Sequence, residues 1–205
     1  LLDAVDPAYQ SHPVFLYSRA QRARQFELWD DAVDWLNKGT GELPDAAEWW
    51  YERRLLTRQL LSIGKPALAY EAAAGYREGP EGRLVEAHFH AGWIALAFLD
   101  DARKAAGHFE QMRSLSTLPD SVTQANYWLG RAKLALGDKL GSNEAYAIAA
   151  RHGTVYYGLL ARAELGLKGV QLRNMPDAAA SRTVFESREV VRAVRLLAEN
   201  GQPEL

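Results

Sequence analysis

Cysteine is absent from the 205-residue chain, which excludes a disulfide framework and thiolate chemistry. An excess of one charge is also missing, because 24 basic residues stand against 26 acidic ones. Proteins that bind nucleic acid or anionic lipid usually concentrate positive charge, so neither partner is predicted. No apolar run approaches the roughly 18 residues of a membrane-spanning helix, and no membrane span is predicted.

Motifs for phosphate, dinucleotide or metal binding are missing as well. Gly64-Lys65-Pro66 lacks the earlier glycine and the following Ser or Thr of a phosphate-binding loop. His88 and His90 stand two positions apart, so on a helix their side chains point about 200° apart and cannot share a metal ion. We therefore predict no metal site and no cofactor.

What the chain does contain is helical periodicity in successive segments that each break in the middle. In the third segment, for example, Leu84, Ala87, Ala91 and Ile94 recur at the spacing of one helix face. The breaks at Trp29, Gly64, Leu99 and Gly137 are separated by 35, 35 and 38 residues. A period near 35 is typical of helix-turn-helix repeats of the tetratricopeptide type.

This periodicity defines the predicted domain organisation. A repeat domain covers residues 1–167, a loop or linker covers 168–185, and a terminal helix covers 186–200, which begins the next unit or caps the array. Within the domain we predict hairpin units at about 14–38, 45–77, 82–115 and 120–152, followed by a helix at 154–166. The predicted fold is all-α, a superhelical array of tetratricopeptide-like helix-turn-helix hairpins with about 9–10 helices.

The clearest hairpin unit is the fourth, together with the helix that follows it. Its leading helix ends at Gly137-Asp138, and Ser142-Asn143 is predicted to cap the partner helix. The stretch contains YWLGRA at 127–132, LGD at 136–138, YYGLLA at 156–161 and LG at 165–166.

Over about residues 124–167 this pattern resembles the end of the superhelical domain of soluble lytic murein transglycosylases. The resemblance implies a periplasmic protein whose partners are peptidoglycan glycan strands and its own catalytic domain. In that family the helical domain holds a catalytic domain that cleaves the β-1,4 link between N-acetylmuramic acid and N-acetylglucosamine, without a metal.

The family's catalytic motif is a Glu-Ser pair followed closely by Gly-Leu-Met-Gln, with the Glu as general acid and base. The one Glu-Ser pair here, Glu186-Ser187, is followed by Arg188-Glu189-Val190. We interpret this pair as capping the start of a helix. No catalytic residue is predicted, and this chain alone should be inactive.

Aromatic and basic residues near position 50 are the candidate ligand contacts. Trp49, Trp50, Arg53 and Arg54 suit a sugar or a peptide, because aromatic rings stack on sugars and arginine pairs with carboxylates. The alternative is that the tryptophans pack against two neighbouring helices while the arginines are solvated.

Two hypotheses for the function follow. The first is a non-catalytic superhelical scaffold module of a periplasmic lytic transglycosylase. The second is a free-standing tetratricopeptide-like adaptor that binds a protein or peptide in its groove. Because the chain opens at Leu1 without a basic and apolar leader, we expect a mature chain or an excised fragment.

Overall fold

A computed structural model describes residues 5–170 and 178–201, with the backbone alone described at Ala179 and Ala180. Within these ranges the chain forms one 3-10 helix, Pro7–Tyr9, and eleven α-helices, and it has no strand. The all-α prediction is confirmed. The α-helices are α1 Pro13–Gln25, α2 Trp29–Lys38, α3 Ala46–Ser62, α4 Pro66–Ala74, α5 Glu81–Phe98, α6 Ala102–Leu115, α7 Pro119–Ala135, α8 Lys139–Ala150, α9 Tyr156–Glu164, α10 Ala179–Ser187 and α11 Glu189–Glu199.

The chain divides into two bodies, Leu1–Lys168 and Gly169–Leu205. In the first body each helix packs against the next one in the chain, and each odd-numbered helix also contacts the following odd-numbered helix. Hairpins α1–α2, α3–α4, α5–α6 and α7–α8 therefore pack in chain order. The superhelical, tetratricopeptide-like course of these hairpins stays a prediction.

Each hairpin turns at a residue in the left-handed conformation: Glu27, Gly64, Asp100 and Gly137, with φ of 59°, 74°, 51° and 80°. After Glu27, Gly64 and Gly137 the next amide bonds the carbonyl five residues earlier at 2.8–2.9 Å, which is the signature of a Schellman motif. These turn residues are separated by 37, 36 and 37 positions. The turn predicted at Trp29 is wrong, because Trp29 already begins α2.

The partner helix of the fourth hairpin begins earlier than predicted. Asp138 caps α8, since its Oδ1 accepts the Gly141 amide at 2.8 Å. Ser142 is buried inside α8, so it cannot act as the predicted cap. An aspartate directly after the turn accepts the first free amides of the helix and sets its start.

Residues 171–177 of the predicted linker over 168–185 lie outside the described residues, and the prediction is wrong over 179–185, where α10 forms. Every side chain that the structure describes in α10 is exposed or only half-buried. In the sequence its two large apolar residues, Val184 and Phe185, are adjacent, so they set no helical spacing that periodicity could reveal. It carries instead an ion pair one turn apart, Arg182 Nε to Glu186 Oε1 at 3.0 Å. The predicted terminal helix at 186–200 is shorter, Glu189–Glu199, and α10 accounts for the helix beyond the expected 9–10.

Small residues set the close spacing of the helices in the first body. Ala69 and Ala149 are fully buried, and Gly92 and Gly130 each face an aromatic ring. A Cβ atom at Gly92 would lie 2.8 Å from the Phe109 ring, and one at Gly130 would lie 2.5 Å from the Tyr146 ring. These glycines let the two helices of a hairpin approach each other across an aromatic side chain.

Candidate functional site

The four candidate ligand contacts lie on α3, and three of them are in the interior. Trp49 is 2% exposed, and Trp50 and Arg53 are each 1% exposed. Arg54 keeps 33% of its side chain exposed. Trp49, Trp50 and Arg53 therefore offer no free face to a sugar or peptide in this structure.

The two tryptophans pack on different neighbours. The Trp49 ring lies 5.4 Å from the Tyr17 ring of α1, while Trp50 lies 5.5 Å from Tyr76 and 5.4 Å from His90 of α5. Each indole thus fills a different helix interface. Tyr51, which is 49% exposed, is the aromatic residue of this stretch that reaches the surface.

Glu86 of α5 joins α3 to α5 through the Glu86 network, which we define as Trp50, Arg54, Arg83 and Glu86. The Trp50 indole N–H donates to Glu86 Oε2 at 2.6 Å, Arg54 Nη1 donates to Oε1 at 3.1 Å, and Arg83 Nη1 donates to Oε2 at 3.2 Å. Burial would raise the pKa of Glu86, but these hydrogen bonds and arginine charges outweigh it and lower the pKa. The carboxylate is therefore held in its ionised form.

Arg53 is a buried cation whose hydrogen bonds all go to neutral oxygens. Its Nη1 donates to Asn37 Oδ1 at 2.8 Å and to the Ala72 carbonyl at 2.9 Å, and its Nη2 donates to the Leu36 carbonyl at 2.6 Å. The two carbonyls belong to the last turns of α4 and α2, where the helix dipole favours a positive charge. Burial, with the nearby charge of Arg77, lowers the pKa of Arg53 to about 10.

A cavity of about 490 Å³ lies beside this cation. It opens between the loop after α2 and the C-terminal end of α4, and Asn37, Gly75, Tyr76 and Arg77 form part of its wall. A Cβ atom at Gly75 would collide with both Asn37 Oδ1 and Arg53 Nη1, so the contact between these two side chains requires glycine there.

The histidines of α5 face different neighbours, as their spacing predicts. His88 Nδ1 lies 3.1 Å from His108 Nδ1 of α6, and His108 Nε2 lies 3.0 Å from the Tyr70 hydroxyl of α4. His90 Nδ1 lies 2.8 Å from the Glu86 carbonyl oxygen instead. Burial lowers the pKa of all three histidines, and the charge of His88 helps to bring that of His108 to about 4.

Among the described side chains, no three or more His, Asp or Glu residues group closely enough to hold a metal ion. Over the same part of the chain, no helix combines the length and the apolar character needed to cross a bilayer.

The Glu186-Ser187 pair does not begin a helix. Ser187 is the last residue of α10, and its hydroxyl donates to the Val184 carbonyl at 2.8 Å. Glu186 forms ion pairs with Arg182 and with Arg195 of α11, at 3.0 and 3.5 Å. The predicted cap at a helix start is thus wrong, and the pair lies at the junction of α10 and α11.

The YWLGRA and YYGLLA segments meet in the packing of α7, α8 and α9. The Tyr127 ring lies 5.8 Å from the Tyr146 ring and 5.5 Å from the Tyr157 ring. Arg131 Nη1 donates to the Tyr127 hydroxyl at 3.3 Å, and Gly158 leaves space for the His152 carbonyl. Most of the distinctive residues of the two segments therefore form helix-packing contacts.

Sequence reasoning missed the Glu86 network and the Tyr70–His108 contact, although a signal for them exists. Trp50 and Glu86 are 36 residues apart, and Tyr70 and His108 are 38 apart. Both separations are close to one repeat, so equivalent positions of neighbouring hairpins come together. A search for complementary polar residues one period apart would have found these pairs.

Comparison of this chain with protein-family models, with curated proteins and with solved structures finds no match.

Proposed function

We propose that this chain is a non-catalytic helical scaffold module of a periplasmic soluble lytic transglycosylase, a protein that acts on peptidoglycan through a separate catalytic domain. The observation that carries the proposal is that the residues on which the family resemblance rests make helix-packing contacts. The aromatic residues and glycines of YWLGRA and YYGLLA pack α7, α8 and α9 together. Residues with such a role preserve a scaffold rather than a reaction centre.

The carboxylates in and beside α3 support a structural role. Glu52 is buried and pairs with Arg24, and Glu86 is bonded by Trp50, Arg54 and Arg83. A glycosidase general acid must keep its proton at neutral pH, which requires a raised pKa. The lowered pKa of Glu86 is the opposite of what that role needs.

The surface that best fits a glycan strand is formed by Tyr51, Arg54 and Arg83. The Tyr51 ring is 49% exposed, and the Arg54 guanidinium lies 5.8 Å from its centre. An exposed ring can stack on a sugar, and the arginines can pair with the carboxylates of stem peptides. Among the candidate ligand contacts, Arg54 belongs to this surface.

Co-sedimentation with purified peptidoglycan tests the proposed contact. We expect Tyr51→Ala to reduce the bound fraction several-fold, because aromatic stacking is worth about 1 kcal/mol or more. Tyr9→Ala is the matched control, since Tyr9 is 64% exposed outside this surface. Equal binding by the two variants would rule out this surface.

The parent protein provides a separate test. We expect the reading frame that contains this chain to encode a Glu-Ser pair with a following Gly-Leu-Met-Gln segment, and the full protein to release 1,6-anhydro-muropeptides from peptidoglycan. We expect this chain alone to release none. A full protein without that segment and without this activity would contradict the proposal and favour the adaptor hypothesis.

A further inference from the structure

The cavity beside Arg53 is lined by side chains of both charges. It holds about 490 Å³, within the size range of sites for small molecules. Its polar wall includes Asn37, Thr40, Glu71, Tyr76, Arg77 and Glu78. It lies within the first body, so all of its wall belongs to one packed set of helices.

Arg53 orients the amide of Asn37. A guanidinium only donates hydrogen bonds, so the Asn37 atom 2.8 Å from Arg53 Nη1 must be the oxygen. The Nδ2 group consequently points away from Arg53, and it donates no hydrogen bond to any residue that the structure describes. Asn37 is exposed on the cavity wall, so these two N–H donors are available to a ligand.

No carboxylate among the described residues forms an ion pair with Arg53 or Arg77. Arg53 is 1% exposed, its hydrogen bonds reach only neutral oxygens, and its buried Nε has no partner. Arg77 lies close enough to act on Arg53 through its charge, and it forms no ion pair with a described residue. A buried cation without a carboxylate is costly, and a bound carboxylate would offset that cost.

The same cavity also carries negative charge that would repel a simple anion. Glu71 and Glu78 line it, and both are exposed. A ligand that carries an ammonium group as well as a carboxylate satisfies both signs of charge. The volume and the two kinds of charge thus fit a small zwitterion.

We propose that this cavity binds a small zwitterion, a free amino acid or short peptide, with its carboxylate on Asn37 Nδ2 and Arg77 and its ammonium group towards Glu71 and Glu78. This inference does not depend on the proposed role in peptidoglycan turnover. Peptidoglycan co-sedimentation and the binding of small zwitterions can therefore succeed or fail independently.

NMR titration of the ¹⁵N-labelled chain tests the ligand class, with the Asn37 side-chain amide as the reporter. Alanine represents a free amino acid and dialanine a peptide, while N-acetylalanine lacks the ammonium group and alaninamide lacks the carboxylate. We expect one or both zwitterions to shift the reporter at millimolar concentration, and the blocked compounds to bind ~10-fold more weakly. An unmoved reporter, or equal binding of blocked and zwitterionic compounds, would overturn the proposal.

Two variants test the contacts. Arg77→Gln should weaken alanine or dialanine binding by ~10-fold, while Arg103→Gln on the exposed surface of α6 should leave it unchanged. Asn37→Asp should place a carboxylate on Arg53, which removes the amide donor, abolishes binding and raises the melting temperature. Undiminished binding in Arg77→Gln, or a lower melting temperature in Asn37→Asp, would contradict the assignment.

Discussion

At the scale of single residues, the contact of a glycine with an aromatic ring sets how closely two helices pack. Gly130 of α7 faces the Tyr146 ring of α8, and the space for a Cβ atom there is already occupied. Gly107 of α6 also lies within a helix, but a Cβ atom at that position would meet nothing within 4 Å. The two glycines differ in their surroundings rather than in their secondary structure.

Alanine substitutions at these two positions should have opposite effects. Gly130→Ala should lower the free energy of unfolding by about 1–3 kcal/mol, because the added methyl overpacks the interface. Gly107→Ala should raise it by roughly 0.5–1 kcal/mol, because alanine restricts the unfolded chain and favours a helix. Urea unfolding measures both, and a Gly130→Ala variant as stable as the parent would refute the packing role.

The histidine contact between α5 and α6 predicts a dependence of stability on pH. The pKa of His108 in the folded chain is about 4, against about 6.5 for an unperturbed histidine. As the pH falls, the unfolded chain therefore takes up this proton first. The stability from neutral His108 should be fully present above about pH 6.5 and lost as the pH falls towards about 4.

His108→Gln should reduce this dependence. Asp and Glu residues also titrate near pH 4, so the measurement compares the free energy of unfolding at about pH 7.5 with that at about pH 5, in both the parent and the variant. The parent should lose more stability than the variant over that range. Tyr70 and His88 contact His108, Lys104 lies over the Tyr70 ring, and all three residues are present in both proteins. An identical loss in both would show that His108 is not responsible.

At the scale of elements, the turn between the helices of each hairpin requires a left-handed residue. Glycine supplies it at Gly64 and Gly137. A Cβ atom would meet no other atom within 4 Å at either position, so the positive backbone φ is the reason for glycine there. Glu27 and Asp100 adopt the same conformation with a side chain, which costs a residue about 1–2 kcal/mol. All four turns thus share a left-handed residue, although the type of residue differs among them.

Substitutions of the residue type at these turns should change the free energy of unfolding in opposite directions. Glu27→Gly should raise the free energy of unfolding by up to about 1 kcal/mol, since glycine accepts a positive φ without strain. Gly137→Ala should lower it by about 1 kcal/mol for the opposite reason. Thermal or urea unfolding of both variants tests this, and the same sign of change in both would be incompatible with the turn geometry.

At the scale of the whole molecule, the two bodies differ in what they bury. Helix α7 of the first body contributes seven buried residues, including Tyr127 and Leu129. Helix α11 of the second body buries none, and Val190 and Val194 are 74% and 60% exposed. Local opening of a helix is resisted mainly by the apolar surface that it buries.

Hydrogen exchange followed by mass spectrometry should separate the two bodies. Backbone amides of α11 should exchange at least ~10-fold faster than those of α7, because α11 loses little buried surface on opening. The amides of α5, which buries Ala91 and Ile94, provide a second protected reference. Comparable protection of α11 and α7 would mean that α11 is stabilised by contacts outside those described.

Periodicity predicted well where a helix buries one face. Leu84, Ala87, Ala91 and Ile94 mark α5 in the sequence, and three of them are buried in the fold. Helix α10 was missed because its two large apolar residues, Val184 and Phe185, are adjacent and so set no helical spacing. The Glu27 and Asp100 turns were misplaced by a residue or two, because no glycine marks the left-handed position there.

The sequence by itself determined the all-α class and a repeat near 35 residues, because apolar spacing and turn glycines are local signals. Only the tertiary structure decided that Trp49, Trp50 and Arg53 are interior and that Tyr51 and Arg54 reach the surface. Neighbouring residues on one helix face different directions, so their exposure depends on where the adjacent helices lie. Asn37 bonds Arg53, and Trp50 bonds Glu86, from a neighbouring hairpin, so only the packing of hairpins brings these partners together.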